Sequence, residues 1–161
     1  MPRASVQERN DATYWREFDR NTLSHSMAHY LMAIDRLRAD LGYARTTDVA
    51  EMLEVSRGAA SMALAQLKKR GWVGEDPNRF LLLTEAGKRI TRLVEQNFET
   101  LARFFEQVLG AERDVAFADA CKMEHLMSMD TGRRLLALMR YLLNDDALSA
   151  KVREHMASFK E

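Results

Sequence analysis

The sequence has few of the residues that force turns or cross-links. Its 161 residues include one cysteine, two prolines and seven glycines. The single Cys121 excludes an intrachain disulfide, which fits a reducing compartment and makes this thiol a candidate for chemistry. Apolar residues make up 47% of the chain and charged residues 30%, so it has the balance of a folded globular protein. Because alanine, leucine, methionine, glutamate, lysine and arginine dominate, we expect a mostly α-helical fold.

Long apolar runs and a net charge are also absent. The longest apolar stretches, such as Phe80–Leu83, are far shorter than the roughly 20 residues that span a bilayer, and the N-terminus does not resemble a signal peptide. We therefore expect a cytoplasmic protein without membrane contacts. The 24 basic and 24 acidic residues are unevenly placed, with 9 basic and 6 acidic in residues 45–92 and 9 and 12 in residues 93–161. This fits either an ordinary solvated surface or a middle segment that contacts phosphates.

Capping residues and apolar periodicity divide the chain into predicted helices and one hairpin. In order, these are a polar arm over residues 1–21, a helix from Thr22 or Ser24 to Gly42, a short helix capped by Thr47, a helix from Ser56 to Arg70, a hairpin over residues 72–84, a long helix from Thr84 to Gly110, a helix over residues 112–129, a helix from Asp130 or Thr131 to Leu143, and a short helix opened by Asp145. Two short helices followed at once by a hairpin indicate a winged helix-turn-helix. We predict this DNA-binding domain over residues 22–92 and a helical domain over residues 93–161.

The third predicted helix is the candidate element for reading DNA. Small side chains in its first turn would let its end enter a major groove about 12 Å wide, and Arg57 can bind guanine through two hydrogen bonds. Basic side chains near the hairpin are candidates for backbone contacts. The full candidate set is Thr46, Thr47, Ser56, Arg57, Gly58, Ala59, Ser61, Met62, Lys68, Lys69 and Arg79. A helix-turn-helix used only for packing or dimerisation is the alternative.

A candidate metal-binding motif lies in the acidic last third. Cys121, Glu124 and His125 are three and four residues apart, so they project from one face of a helix. A thiolate, a carboxylate and an imidazole together suit a borderline transition metal better than Ca²⁺ or Mg²⁺. The same three residues could instead be a core cysteine beside a surface charge pair.

Several strings resemble the metal-dependent repressors of the diphtheria toxin repressor family. They are Tyr30–Ile34, Gly42–Ala50, Val55–Ser56, Leu83–Gly87 at the end of the family's wing, and Asp119–Ser128, which is similar to the family's metal-ligand helix. The resemblance covers residues 22–145, and the motifs occur in the family's order. It implies a winged helix-turn-helix followed by a helical metal-binding and dimerisation domain. We expect no SH3-like third domain of the kind that longer relatives append.

The resemblance implies that Cys121, Glu124 and His125 bind a divalent metal together with a residue of the first helix. That residue is His29, at a position where relatives often carry methionine or aspartate. Further candidate ligands are His25, one turn before His29, and Met32 and Glu99. Met32 stands where manganese-type relatives have an acidic residue. This loss and the thiol of Cys121 favour Fe²⁺ first and Mn²⁺ next, while Zn²⁺, Co²⁺ or Ni²⁺ could bind in vitro.

Many relatives also hold an ancillary metal between the long helix and the segment before the cysteine. The matching positions here are Phe98, Ala102 and Phe117, none of which can bind a metal. Shifting the register of the long helix by one gives Glu99 and Arg103 instead. We therefore expect this second site to be missing or rebuilt.

These observations predict a metal-responsive repressor of metal-uptake genes, not an enzyme, that binds a pseudo-palindromic double-stranded DNA operator as a homodimer. The candidate dimer surface, part of which must be intrachain core, comprises Leu126, Met127, Leu135, Leu138, Met139 and Leu142. The alternative is a winged-helix regulator of the MarR type that responds to an organic ligand or to oxidation of Cys121. A metalloenzyme would need an open metal position and a general base, and the sequence offers no second acidic or histidine cluster for them.

Overall fold

The computed structural model describes residues 23–158, so the predicted arm over residues 1–21 lies outside the described part. Within these residues the chain is mostly helical with one small sheet, as predicted. The elements are α1 His25–Leu41, α2 Thr46–Met52, α3 Arg57–Lys69, β1 Val73–Glu75, β2 Leu81–Leu83, α4 Glu85–Arg103, a π-helical segment Phe104–Val108, α5 Arg113–Met123, α6 Met129–Leu143 and α7 Asp146–Ser158. No described helix is long and apolar enough to cross a membrane.

The first five elements form a winged helix-turn-helix around one apolar core. Leu31 and Ile34 of α1, Leu64 and Leu67 of α3, and Leu81 of β2 are buried together. The two strands pair antiparallel and form the wing. The apolar periodicity of α1 and α3 and the short apolar stretches of the hairpin therefore predict this half of the fold correctly.

Side-chain caps fix the helix starts. Ser24, Ser56 and Thr84 each accept a hydrogen bond from a backbone N–H three residues later, which confirms the three expected caps. Helix α2 begins at Thr46 and not after a Thr47 cap, because the Asp48 carboxylate accepts the N–H of the preceding Arg45 (3.1 Å).

The long helix after the wing is not uniform. α4 runs from the wing into the second half of the chain, and the expected continuation to Gly110 is a π-helical turn, in which the N–H of Leu109 donates to the carbonyl of Phe104 (3.1 Å). Such a turn accommodates one extra residue without exposing the apolar side chains on the buried face. Apolar spacing alone therefore did not reveal it.

The helix expected over residues 112–129 is also shorter than the sequence indicated. α5 ends at Met123, and α6 begins at Met129 behind a Ser128 cap, not at Asp130 or Thr131. The buried Asn97 of α4 explains the break, since its Nδ2 donates to the carbonyls of Glu124 (2.8 Å) and Met127 (2.9 Å). These hydrogen bonds hold the chain between α5 and α6 in a turn.

Candidate metal centre and DNA-binding face

Four candidate ligands from two distant parts of the chain meet between α1 and α5. His25 and His29 lie on successive turns of α1, Cys121 lies in the last turn of α5, and Glu124 follows it. One donor atom from each lies within 4.8 Å of every other. The Nε2 atom of His29 is 3.1 Å from that of His25 and 3.4 Å from the Cys121 sulfur. Donors bound tetrahedrally to one ion lie about 3.4–3.7 Å apart, so the two separations at His29 are of that order, and the remaining donor pairs lie within 4.8 Å.

The carboxyl group of Glu124 is the strongest sign that the cluster fits a cation. Its side chain is 1% exposed, and its Oε1 atom has no hydrogen-bond partner among residues 23–158. Burial raises the pKa of Glu124 to about 7. A buried carboxylate is costly unless a positive charge or hydrogen bonds compensate it. A divalent ion among these donors would supply that charge.

Burial also shifts the pKa values of two other candidate ligands. It lowers the pKa of His29, with the neighbouring His25 adding to the effect, so the imidazole is held in the neutral form that binds metals. Burial, and secondarily the charge of Glu124, raises the pKa of the Cys121 thiol. Metal binding must therefore displace a proton from this thiol.

The other candidate ligands lie outside the cluster. The ring of His125 packs against that of His25, with 5.1 Å between the centroids, but its nitrogens are not among the four converging donors. Met32 lines a cavity of about 520 Å³ next to His29. Glu99 is exposed and lines a separate cavity with Arg103. The structure therefore brings the first-helix histidine, the cysteine and the glutamate together with His25, which the sequence ranked below His125.

The positions that match the family's ancillary site form an apolar contact. The rings of Phe98 and Phe117 meet edge to face, 5.4 Å between centroids. Ala102 is buried beside them in the core between α4 and α5. Arg113 lies over the Phe117 ring, at 5.0 Å.

The candidate DNA-contacting residues divide into an exposed group and an engaged group. Arg57, Gly58, Ser61 and Met62 are exposed on the first turns of α3, as is Lys69 near its end. The first four leave the N-terminal end of α3 accessible to a DNA groove.

The engaged group consists of residues that are half-buried or hydrogen-bonded within the protein. Ser56 caps α3 through the N–H of the half-buried Ala59. Thr46 is half-buried, and the Thr47 hydroxyl donates to Asp48.

The remaining two basic candidates lie at or beside the wing. The Lys68 ammonium forms an ion pair with Glu75 of β1, which joins the end of α3 to the wing. Arg79 is exposed at the turn between the strands and has a positive φ of 63°. Lys68 therefore has a role in holding the wing, while Arg79 extends from its tip.

Comparison with known proteins gave matches over both halves. The family model described as the iron dependent repressor, N-terminal DNA binding domain matches residues 22–81, and that described as the iron dependent repressor, metal binding and dimerisation domain matches residues 84–147. The HTH-type transcriptional regulator MntR of Bacillus subtilis (strain 168) is 30% identical over 122 residues, covering 76% of this chain and 85% of the relative. The MntR protein of Shouchella clausii (strain KSM-K16) is 30% identical over 129 residues, covering 80% of this chain and 90% of the relative.

Solved structures share the fold. The manganese regulator SloR aligns with a TM-score of 0.64 and 23% identity over 71% of this chain and 54% of that chain. IdeR of T. acidophilum aligns with a TM-score of 0.57 and 21% identity over 68% of this chain and 52% of that chain. The chain therefore spans about half the length of these two proteins.

Proposed function

This chain belongs to the diphtheria toxin repressor family and is a metal-dependent transcriptional regulator of that type, not an enzyme, and we propose that it represses metal-uptake genes in the cytoplasm when Fe²⁺ binds at His29, Cys121 and Glu124. The family resemblance also implies His125 as a ligand, and its ring packs beside this cluster against that of His25. The observation that carries the proposal is the convergence of donors from α1 and the end of α5 around a buried carboxyl group, one oxygen of which has no hydrogen-bond partner in the described part of the chain.

The ligands belong to elements with different packing partners. α1 is part of the core that holds α3, whereas α5 packs mainly on α4. When bound, the ion supplies the positive charge that lets a thiolate and a carboxylate lie side by side. Ligation by His29 on one element and by Cys121 and Glu124 on the other fixes the DNA-binding half relative to the second half. In a homodimer on a pseudo-palindromic operator, this would set the spacing of the two α3 helices near one DNA turn, roughly 34 Å.

The donor set supports Fe²⁺ over Mn²⁺. Manganese prefers carboxylate, carbonyl and water oxygens, whereas thiolate and imidazole ligands suit iron and the later transition metals. Only one of the converging donors is an oxygen. Zn²⁺, Co²⁺ and Ni²⁺ would bind the same donors in vitro.

Redox sensing by Cys121 is less well supported. Reactive cysteines are exposed and have a lowered pKa, whereas burial raises the pKa of this half-buried thiol. The matches of both halves to models of one metal-dependent family further favour a metal signal over a MarR-type signal.

The test is DNA affinity measured by fluorescence anisotropy with the native promoter region under anaerobic conditions. Fe²⁺, Mn²⁺ and Zn²⁺ are titrated against chelated protein, for the unmodified chain, Glu124→Ala and the control Glu154→Ala, whose carboxylate is exposed on α7. We expect Fe²⁺ to tighten binding about 5–150-fold, the usual range of allosteric coupling. Glu154→Ala should keep this gain and Glu124→Ala should lose it. Equal affinity with every metal and with chelator would contradict the proposal.

A further inference from the structure

We propose that His25 is a metal ligand, so that α1 contributes two imidazoles from successive turns to one ion. The inference rests on the proposed function, because it concerns the same metal centre. It adds a residue outside the motif Cys121-x-x-Glu124-His125 and assigns His125 a supporting position.

The first argument is the arrangement of donors around His29. Its Nε2 atom faces the Nε2 atom of His25 at 3.1 Å and the sulfur of Cys121 at 3.4 Å. A neutral imidazole nitrogen carries either one proton or one lone pair, so a single nitrogen cannot form good hydrogen bonds with both neighbours when each offers the same role. One ion among the three atoms would satisfy all of them.

The second argument is that His25 is held in place by the helix. Ser24 caps α1 by accepting the N–H of Met27 at its side chain and that of Ala28 at its carbonyl. His25 is thereby in helical conformation, and residues four apart lie on the same face. Its ring meets that of His29 edge to face, 4.4 Å between centroids.

The third argument concerns His125. Helix α5 ends at Met123, so Glu124 and His125 both lie in the turn that follows it. The His125 ring packs against that of His25, 5.1 Å between the centroids, and its nitrogens are not among the four converging donors. In the proposed site this contact would support the His25 ring beside the other donors, so the expected function of His125 is positioning.

The resulting donor set contains two nitrogens, one sulfur and one carboxylate oxygen. Four protein ligands of these types are the number and kind found in tetrahedral sites. Such a set favours Fe²⁺, Co²⁺ or Zn²⁺ over Mn²⁺.

Cobalt titration tests the proposal directly. The full chain, freed of metal by chelation, is titrated anaerobically with Co²⁺ while its visible absorption reports coordination number and its near-ultraviolet absorption reports the cobalt–thiolate bond. The variants are His25→Ala, His25→Gln and His125→Ala, with His155→Ala on α7 as the control because it removes an exposed histidine far along the chain. Circular dichroism of each metal-free variant checks the fold.

We expect both His25 variants to lower Co²⁺ affinity at least tenfold, since even residues that only support ligands typically contribute 10–100-fold. The thiolate band should persist in them, the His125→Ala loss should be smaller, and His155→Ala should match the unmodified chain. Unchanged affinity in folded His25 variants, with a large loss in His125→Ala, would overturn the inference and leave the proposed function intact. Absence of Co²⁺ binding by the unmodified chain would overturn both.

Discussion

At the scale of single residues, Glu124 dominates the electrostatics of the metal-free site. Its pKa of about 7 lies above the ordinary glutamate value because burial disfavours the charged form. Because the folded protein holds this proton more tightly than the unfolded chain does, Glu124 contributes fully to folding stability below the unfolded-state pKa near 4.5. This contribution is lost as the pH rises through the folded-state pKa of about 7. The metal-free fold therefore becomes less stable toward alkaline pH because of this residue.

Glu124→Gln isolates this effect, because glutamine has nearly the same size and shape as glutamate but cannot ionise. Between pH 5 and pH 8, the unfolding free energy of the metal-free unmodified chain should fall by at least about 1 kcal/mol more than that of the variant. This difference corresponds to a pKa shift of less than one unit. Urea denaturation with chelator present measures the difference. Glu154→Gln, at an exposed site, should show no such trend. A pH-independent difference for Glu124→Gln would argue against a charge held in a buried site.

The residue pattern predicted part of this site. The three-residue spacing of Cys121 and Glu124 was sufficient to predict that their side chains lie together, because both belong to one helical turn. The sequence named His25 only as a further candidate, since a histidine in an exposed first turn has the same spacing whether it binds a metal or contacts solvent. Only the position of α5 beside α1 distinguishes these cases.

At the scale of elements, the turn between α5 and α6 depends on Asn97. This side chain is 2% exposed, and its amide group donates to two carbonyls of the turn that carries Glu124. Asn97→Ala should lower Co²⁺ affinity about tenfold, as expected for loss of a residue that orients a ligand. Gln96→Ala, an exposed neighbour on α4, should leave it unchanged. Competition titration with a chromophoric chelator measures both, and equal affinities would exclude a positioning role.

Gly132 tests the same contact from α6. A Cβ atom added at this position would lie 2.4 Å from the Oδ1 atom of Asn97, closer than real Cβ contacts occur. Gly132→Ala should therefore displace the Asn97 side chain and weaken metal binding in the same direction as Asn97→Ala. Combining the two substitutions should add little to either one, because both disturb one contact. Additive losses would indicate two separate effects.

The helix-turn-helix makes its own prediction about DNA. Arg57→Ala should cost about 1–3 kcal/mol of operator affinity if its guanidinium binds a guanine. Lys68→Ala should cost less, because its ammonium is already paired with Glu75. Arg153→Ala on α7 is the control. Anisotropy with operator and scrambled DNA separates base reading from phosphate binding, and an equal loss on both DNAs would assign Arg57 to the backbone.

Local sequence signals predicted elements well where a cap and an apolar stripe coincide, as at Ser56 and Thr84. They failed where a distant residue decides the local structure. The end of α5 depends on Asn97, which lies 27 residues before Glu124. The π-helical segment Phe104–Val108 continues the apolar spacing of the helix before it, so this spacing did not reveal it.

At the scale of the whole molecule, the central unknown from sequence was the placement of α1 beside α5. The hydrogen-bond contact between His29 and Cys121 joins residues 92 positions apart. Periodicity carries no information over such a separation, so the pairing of these residues came from the family resemblance. The division predicted after residue 92 falls within α4, which spans both halves as one helix.

The remaining whole-molecule prediction concerns the dimer. Of the candidate surface, Met139 is fully buried within the chain, whereas Leu138 is 49% exposed and the neighbouring Tyr141 is 68% exposed. Exposed apolar side chains grouped on one helix are typical of an interface. Leu138→Glu should therefore shift the chain toward the monomer in analytical ultracentrifugation, with metal affinity per chain retained. Operator binding should fall, because a two-fold operator needs two recognition helices.

The matched control is Leu41→Glu, which changes a similarly exposed leucine at the end of α1, 53% accessible in the DNA-binding half. It should leave the sedimentation coefficient unchanged. If Leu138→Glu sediments like this control and both are dimers, the α6 surface is not the interface. If instead Leu138→Glu is monomeric and still binds full operator tightly, dimerisation is not the means by which metal binding controls DNA affinity. Because all the candidate ligands belong to one chain, the two measurements separate assembly from sensing.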